Sequence, residues 1–323
     1  MLRGSGALAL ACVAGAALAA PAGAAAARPT AVTGAVEHIT QQTGTFTGKV
    51  DGNGRSTTYL FQYGPTTDYG GQTTPTPTSS PNKAVRVVAD VSGLQPYTRY
   101  HYRVIAFNRD GRVAGKDRTF RTQAVPLGLS LSAGPNPTLV GAPTTLVGTL
   151  AGTGNGGRRI RLQANAFPYL SGFNPVGNEV VTDAQGNFTV PVLTVPVTTQ
   201  FQAYVAAEPR IASPIVTVGA AVRVTTRVKR LERLRRAVSV RFAGRIAPAR
   251  DGVLVEIQRL RRDGQWRTVR RTIARHATAA YSRYARRVRV RRRGTYRVLV
   301  NSDGQYVSNV GREVRVRVRV RRR

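Results

Sequence analysis

The chain has 323 residues, 41% of them hydrophobic but only 7% aromatic, with 33 glycines, 18 prolines and a formal net charge of +34. That length holds two or three domains, and a turn-rich composition crowded with Val and Thr points to short strands and away from long helices. A single cysteine, Cys12, excludes a disulfide framework, and everything after it lacks thiol chemistry and Cys-ligated metals.

Met1-Leu2-Arg3 is a short basic start, followed by an apolar stretch from Ala7 to Ala20. Small residues at Ala22-Gly23-Ala24 and Ala25-Ala26-Ala27 offer cleavage sites. This order predicts a secretory signal peptide helix over residues 1–27 and a secreted or cell-surface protein. Two alternatives stand beside it: retention of the segment as an anchor, and lipidation at Cys12. Pro21 and Gly23 break the apolar run, which weighs against a spanning helix, and no later segment is apolar for long enough to cross a bilayer. Ala9 stands where a lipoprotein box usually has leucine, which weighs against lipidation.

A first module is expected over 28–124. Tyr59–Gly64 and Val85–Val91 read as strands, Asn108-Arg109-Asp110-Gly111 as a hairpin turn, and Lys116–Thr122 as a closing strand. Gly70 to Pro81, rich in Thr and Pro, reads as an exposed loop within the module, either a recognition loop or slack, with slack favoured. Leu94-x-Pro96-x-Thr98-x-Tyr100, followed by alternating Tyr102, Val104 and Ala106 and then Asn108 and Gly111, resembles the second half of a fibronectin type III module. Phe61-Gln62-Tyr63-Gly64 and Tyr100-His101-Tyr102-Arg103 are similar to modules of secreted actinobacterial repeat proteins. The resemblance implies that Tyr100 is a structural tyrosine corner, its hydroxyl tied to upstream backbone and its ring in the core. The family's early tryptophan is missing, and Phe46 is the candidate to fill that volume. By alternation, His101 faces solvent.

The rest of the chain aligns with itself at an offset of 95: Leu162 falls on Ile257, Phe201–Val205 on Tyr296–Val300, Ser213 on Ser308 and Leu129 on Val224. Modules over 125–219 and 220–323 are therefore expected to share one architecture, and both resemble bacterial immunoglobulin-like repeats. The fold class is all-β, in tandem antiparallel β-sandwiches. Phe188 and Tyr296, each just after a glycine, are assigned to the core. The stretch Lys229–Arg236 admits a short helix, and the repeat, which places an early strand or loop there, favours strand–loop instead. Trp266 and Tyr281 are the candidate glycan platforms outside the first module, and both are assigned rather to the core.

No carboxylate pair, nucleophile beside a base, calcium loop or phosphate-cradling loop appears after residue 27, so no enzyme, cofactor, metal or small-molecule substrate is expected. The charge is uneven. Residues 220–323 hold 32 Lys and Arg against 6 Asp and Glu, a difference of +26, while 28–126 hold 12 against 6 and 127–219 hold 4 against 3. A GC-rich genome explains Arg in place of Lys but not that imbalance. Val314–Arg321 alternates without a fault and Val288–Arg291 repeats the pattern, so valines should line a core and arginines a surface. If the two strands are neighbours, the guanidinium groups form a ladder. Keeping sheets soluble is the bland reading. The functional one assigns Arg289, Arg291, Arg315, Arg317, Arg319 and Arg321 to docking a polyanion. The expected partner is an anionic cell-wall polymer or acidic polysaccharide, with non-specific extracellular nucleic acid as another. The rivals are a carbohydrate-binding accessory module of an extracellular enzyme system and an envelope protein scaffold.

Overall fold

The computed structural model describes residues 27–207, 210–234 and 237–318; the signal segment, Arg319 and Arg321 lie outside them. Every regular element among these residues is a strand, and the pairing is antiparallel apart from one short parallel contact and isolated bridges. The chain divides into two compact units, Met1–Ala124 and Val125–Arg323.

In the first unit a three-stranded sheet (Thr30–Glu37, Gly44–Asp51, Val85–Val91) shares a core with a sheet built on Thr58–Gly64 and Arg99–Asn108. Alternation in Arg99–Asn108 sends Tyr100, Tyr102 and Val104 inward. The Tyr100 hydroxyl accepts the Gln95 N–H at 2.9 Å, which is the tyrosine-corner geometry. Phe46 is fully buried at the centre of this core and stacks on Tyr102 at 5.0 Å. His101 points the other way and meets Asp117 at 2.8 Å. The Gly70–Pro81 stretch is not slack: Gly71–Gln72 and Thr76–Pro77 pair with Thr58–Gly64, and Thr73 exchanges bonds with Phe61. The Thr73 hydroxyl adds a side-chain bond to the backbone pairing, and Pro77 sits on an edge strand, where proline is tolerated.

The second unit holds two sandwiches, and the sequence repeat is also a repeat of register. Ile160 opposes Val205, Leu162 opposes Ala203 and Gln163 opposes Gln202. Adding 95 to each number gives the observed pairs Val255–Val300, Ile257–Val298 and Gln258–Arg297. The facing sheets repeat at 96: Gly148 opposes Phe188, and Gly244 opposes Tyr284. At both glycines a Cβ would run into the aromatic side chain opposite, so the repeat preserves a ring lying over bare backbone. Phe188 and Tyr296 are buried, as their turn-to-strand positions predict, and Arg227–Leu234 is a strand.

One sequence expectation fails here. Ser308 is not the counterpart of Ser213, whose N–H bonds the Ala203 carbonyl; the N–H on the Val298 carbonyl belongs to Gly311. The preceding loop is three residues longer in the last sandwich, and an ungapped alignment passes over that insertion. Gly219–Ala221, at the junction of the two sandwiches, is gripped from both sides. Thr138–Leu139 pairs with Ala220–Ala221, Val307 donates to the Ala220 carbonyl, and Thr198 donates to Gln305. Ala220 is fully buried in an apolar cluster that runs through both sandwiches.

Candidate polyanion-docking face

The cationic surface grows out of two adjacent strands of the last sandwich, Ala237–Ala247 and Tyr281–Val290. Val238, Val240, Phe242 and Ile246 on the first, with Tyr284, Val288 and Val290 on the second, are buried. Alternation then places Arg241 and Arg245, and Arg283, Arg287 and Arg289, on the outer face, where all are exposed. Strand Arg227–Leu234 pairs beside Ala237–Ala247, and Arg275–Thr278 beside Tyr281–Val290.

The register sets like charges directly against each other. Lys229 opposes Arg241, and Arg241 opposes Arg287. Arg245 opposes Arg283, and Arg283 opposes Arg275. Directly opposed like charges destabilise a sheet, by roughly 0.2–1 kcal/mol a pair on the scale of cross-strand interactions. No carboxylate among the described residues pairs with any of these side chains. Among the described residues one acid shares the face: Glu232, opposite Ser239, whose other neighbour is Arg289.

Of the residues singled out by sequence, Arg289 and Arg291 lie on or beside this face, both exposed. Arg315 and Arg317 are exposed with Val316 buried between them, so the alternation holds to the end of the described chain. The ladder between the two Val-Arg runs does not form, because Val314–Val316 pairs with Gly294–Val300 in the opposite sheet. Arg315 faces Thr295 there, and Arg230 donates to the Arg317 carbonyl at 2.7 Å. Lys229, Arg241, Arg245, Arg275, Arg283 and Arg287 were missed. Their signal was the alternation Val238–Arg241, in which one arginine already sits at an outward position, but the partner strand was needed to reveal the rows.

The outer face of the opposite sheet contrasts with this one. Glu256, nearly buried, accepts from Thr268 at 2.6 Å, Arg271 at 2.9 Å and Gln258 at 3.2 Å. The Thr268 bond foremost, then those from Arg271 and Gln258, holds its carboxyl below the usual range against desolvation. Arg297 bonds Gln258 and lies 4.3 Å over the Trp266 ring. Trp266 and Tyr281 are half-buried surface residues, not core, since each serves as a shelf for arginine. Arg245 lies 4.6 Å from the Tyr281 centroid, and the Arg283 hydrogen bond, with both cations nearby, draws that phenol below its ordinary pKa.

A serine, an aspartate and a histidine do meet, but in the wrong order for nucleophilic catalysis. Asp251 stands between Ser282, at 2.5 Å, and His276, at 2.9 Å, whereas a nucleophile needs the imidazole beside it. Ser282 is fully buried and also accepts the Arg250 N–H, so the trio clamps a turn. Among the described residues no group of three His, Cys, Asp or Glu could hold a metal ion, and no helix is long and apolar enough to cross a membrane.

No family model matches the sequence. Nor does any curated protein. Solved structures do show likeness. A segment of titin domains is 13% identical, covering 90% of this chain and 99% of that one at a TM-score of 0.39. A tetra-tandem repeat from the extending region of a large adhesion protein is 12% identical, covering 91% and 74% at 0.31. The FN1–FN3 domains of chicken CNTN1 are 15% identical, covering 89% and 99% at 0.28. At these scores nothing about function rests on them.

Proposed function

We propose that this is an exported, non-catalytic modular protein, with an export signal at 1–27 and modules at 28–124, 125–219 and 220–323, whose last module docks to an anionic cell-envelope polymer. The observation that carries the reading is the direct opposition of Lys229, Arg241 and Arg287, and of Arg275, Arg283 and Arg245, without a carboxylate partner. Among the described residues, the one buried carboxylate of the opposite sheet, Glu256, is bonded to Arg271, whereas no ion pair joins Glu232 to these six cations. Arginine suits phosphate, sulfate or carboxylate because its planar fork makes paired bonds. The preceding sandwich, joined to the last through buried Ala220 and a shared apolar cluster, serves as a spacer for the docking module.

The neutral-glycan reading needs a free aromatic platform, and Trp266 and Tyr281 are both covered by guanidinium groups. The test is retention of the whole protein on purified anionic wall polymer across a salt series. Ionic docking through about six cations gives a log–log slope near −4 to −5. Retention unchanged into molar salt would sink the proposal, since screening lengths there shrink to about 3 Å.

A further inference from the structure

We infer that the ligand is a single anionic chain bearing a charge on every backbone repeat, of the linear phosphate type, and that it lies across the strands between two rows of cations. This rests on the polyanion reading above and narrows it. One row is Lys229, Arg241 and Arg287; the other is Arg275, Arg283 and Arg245. Between them Ala243 opposes Ala285, and Arg227 opposes Ala243 at the edge strand. The middle register position therefore carries methyl groups on the two central strands and a cation at one end.

Arg241 and Arg245 are four residues apart, so the rows run about 13–14 Å from each other at the backbone, while cations within a row step by about 4.8 Å. Long side chains flank the two alanines; Arg245 and Arg283 rest on Tyr281, on the side of their row away from Ala285, and reach the lane between the rows by turning back. A chain in the lane meets both rows at once. A rigid duplex resting on the same sheet meets them from above, along one side only. The short step favours a polymer with an anion on each repeat. One with a carboxylate only on every second sugar leaves neighbouring cations facing each other, and their repulsion persists. Glu232 lies beyond the Lys229 row, opposite Ser239, and bounds the lane's cationic surroundings on that side.

The experiment compares inorganic polyphosphate, hyaluronan and duplex DNA at matched anion concentration, binding to the full chain at low and high salt. Wild type is expected to prefer polyphosphate by about tenfold or more, with the steeper salt dependence. Ala285 is exposed, so Ala285→Trp fills the lane without changing charge and should weaken polyphosphate binding by about tenfold. Ala279→Trp, in the exposed turn before Tyr281, adds the same bulk elsewhere and should bind as wild type does. Equal binding of all three polymers, or undiminished binding by a folded Ala285→Trp, overturns the lane. Should Ala285→Trp melt early, Ala285→Gln and the wild-type polymer ranking decide. Failure of wild type to bind any polyanion in a salt-dependent way removes the docking reading itself.

Discussion

Arg241 and Arg283 each belong to two directly opposed like-charge pairs, so Arg241→Gln with Arg283→Gln dissolves all four. At roughly 0.2–1 kcal/mol a pair, the double variant should be more stable than wild type by about 1–4 kcal/mol at low salt. Both side chains are exposed, so their removal opens no cavity, and shielding by water places the gain toward the lower end. In a unit of this size each kcal/mol moves Tm by about 2–4 °C. The same variant loses two ligand contacts, so its log–log salt slope for polyanion binding should flatten by about 1.4–1.8. Urea titration at low and at molar salt, beside binding, reads both quantities. A variant gaining stability while losing affinity is the signature of charge kept for binding at a cost to the fold. A variant less stable than wild type at low salt, or one whose gain survives molar salt, refutes the reasoning.

Three further outcomes test the scaffold. Tyr100→Phe leaves the Gln95 N–H without its acceptor and should destabilise the first unit by about 1–3 kcal/mol in urea, leaving polyanion binding unchanged. Gly244→Ala drives a methyl into the Thr225 carbonyl and the Tyr284 hydroxyl and should cost the second unit about 1–3 kcal/mol or more, read by thermal melting. Burial pushes the Tyr284 phenol up to about 12 from an unfolded value near 10. The native state therefore holds its proton where the unfolded chain has lost it. That stability is intact below pH 10 and should fall by up to about 1.4 kcal/mol per pH unit between 10 and 12; Tyr284→Phe should flatten the decline in urea midpoints.

Alternation is a local property, and it carried much of the fold without a structure. Val316 between Arg315 and Arg317, and Tyr100 and Tyr102 on either side of His101, follow from side chains taking opposite faces in turn, whereas the strand at Arg227–Leu234 was favoured over a helix by the repeat alone. The offset of 95 held to the residue in register, because cross-strand partners of two like sandwiches keep the same spacing when the loops between them keep their length. It broke at Ser308, where one loop had grown.

What the linear chain could not hold is which strands become neighbours. Arg289 and Arg315 carry the same local pattern, yet hydrogen bonding assigns them to different sheets, and the rows that do form join Lys229, Arg241 and Arg287 from segments far apart in sequence. Trp266 and Tyr281 drew their surface positions from arginines on other strands, and Gly219–Ala221 became a buried brace only because Thr138 and Val307 lie on either side of it. Facing within a strand is set by the pleat and is written in the residue order. Adjacency between strands is set by long-range pairing and burial, which only the folded chain decides.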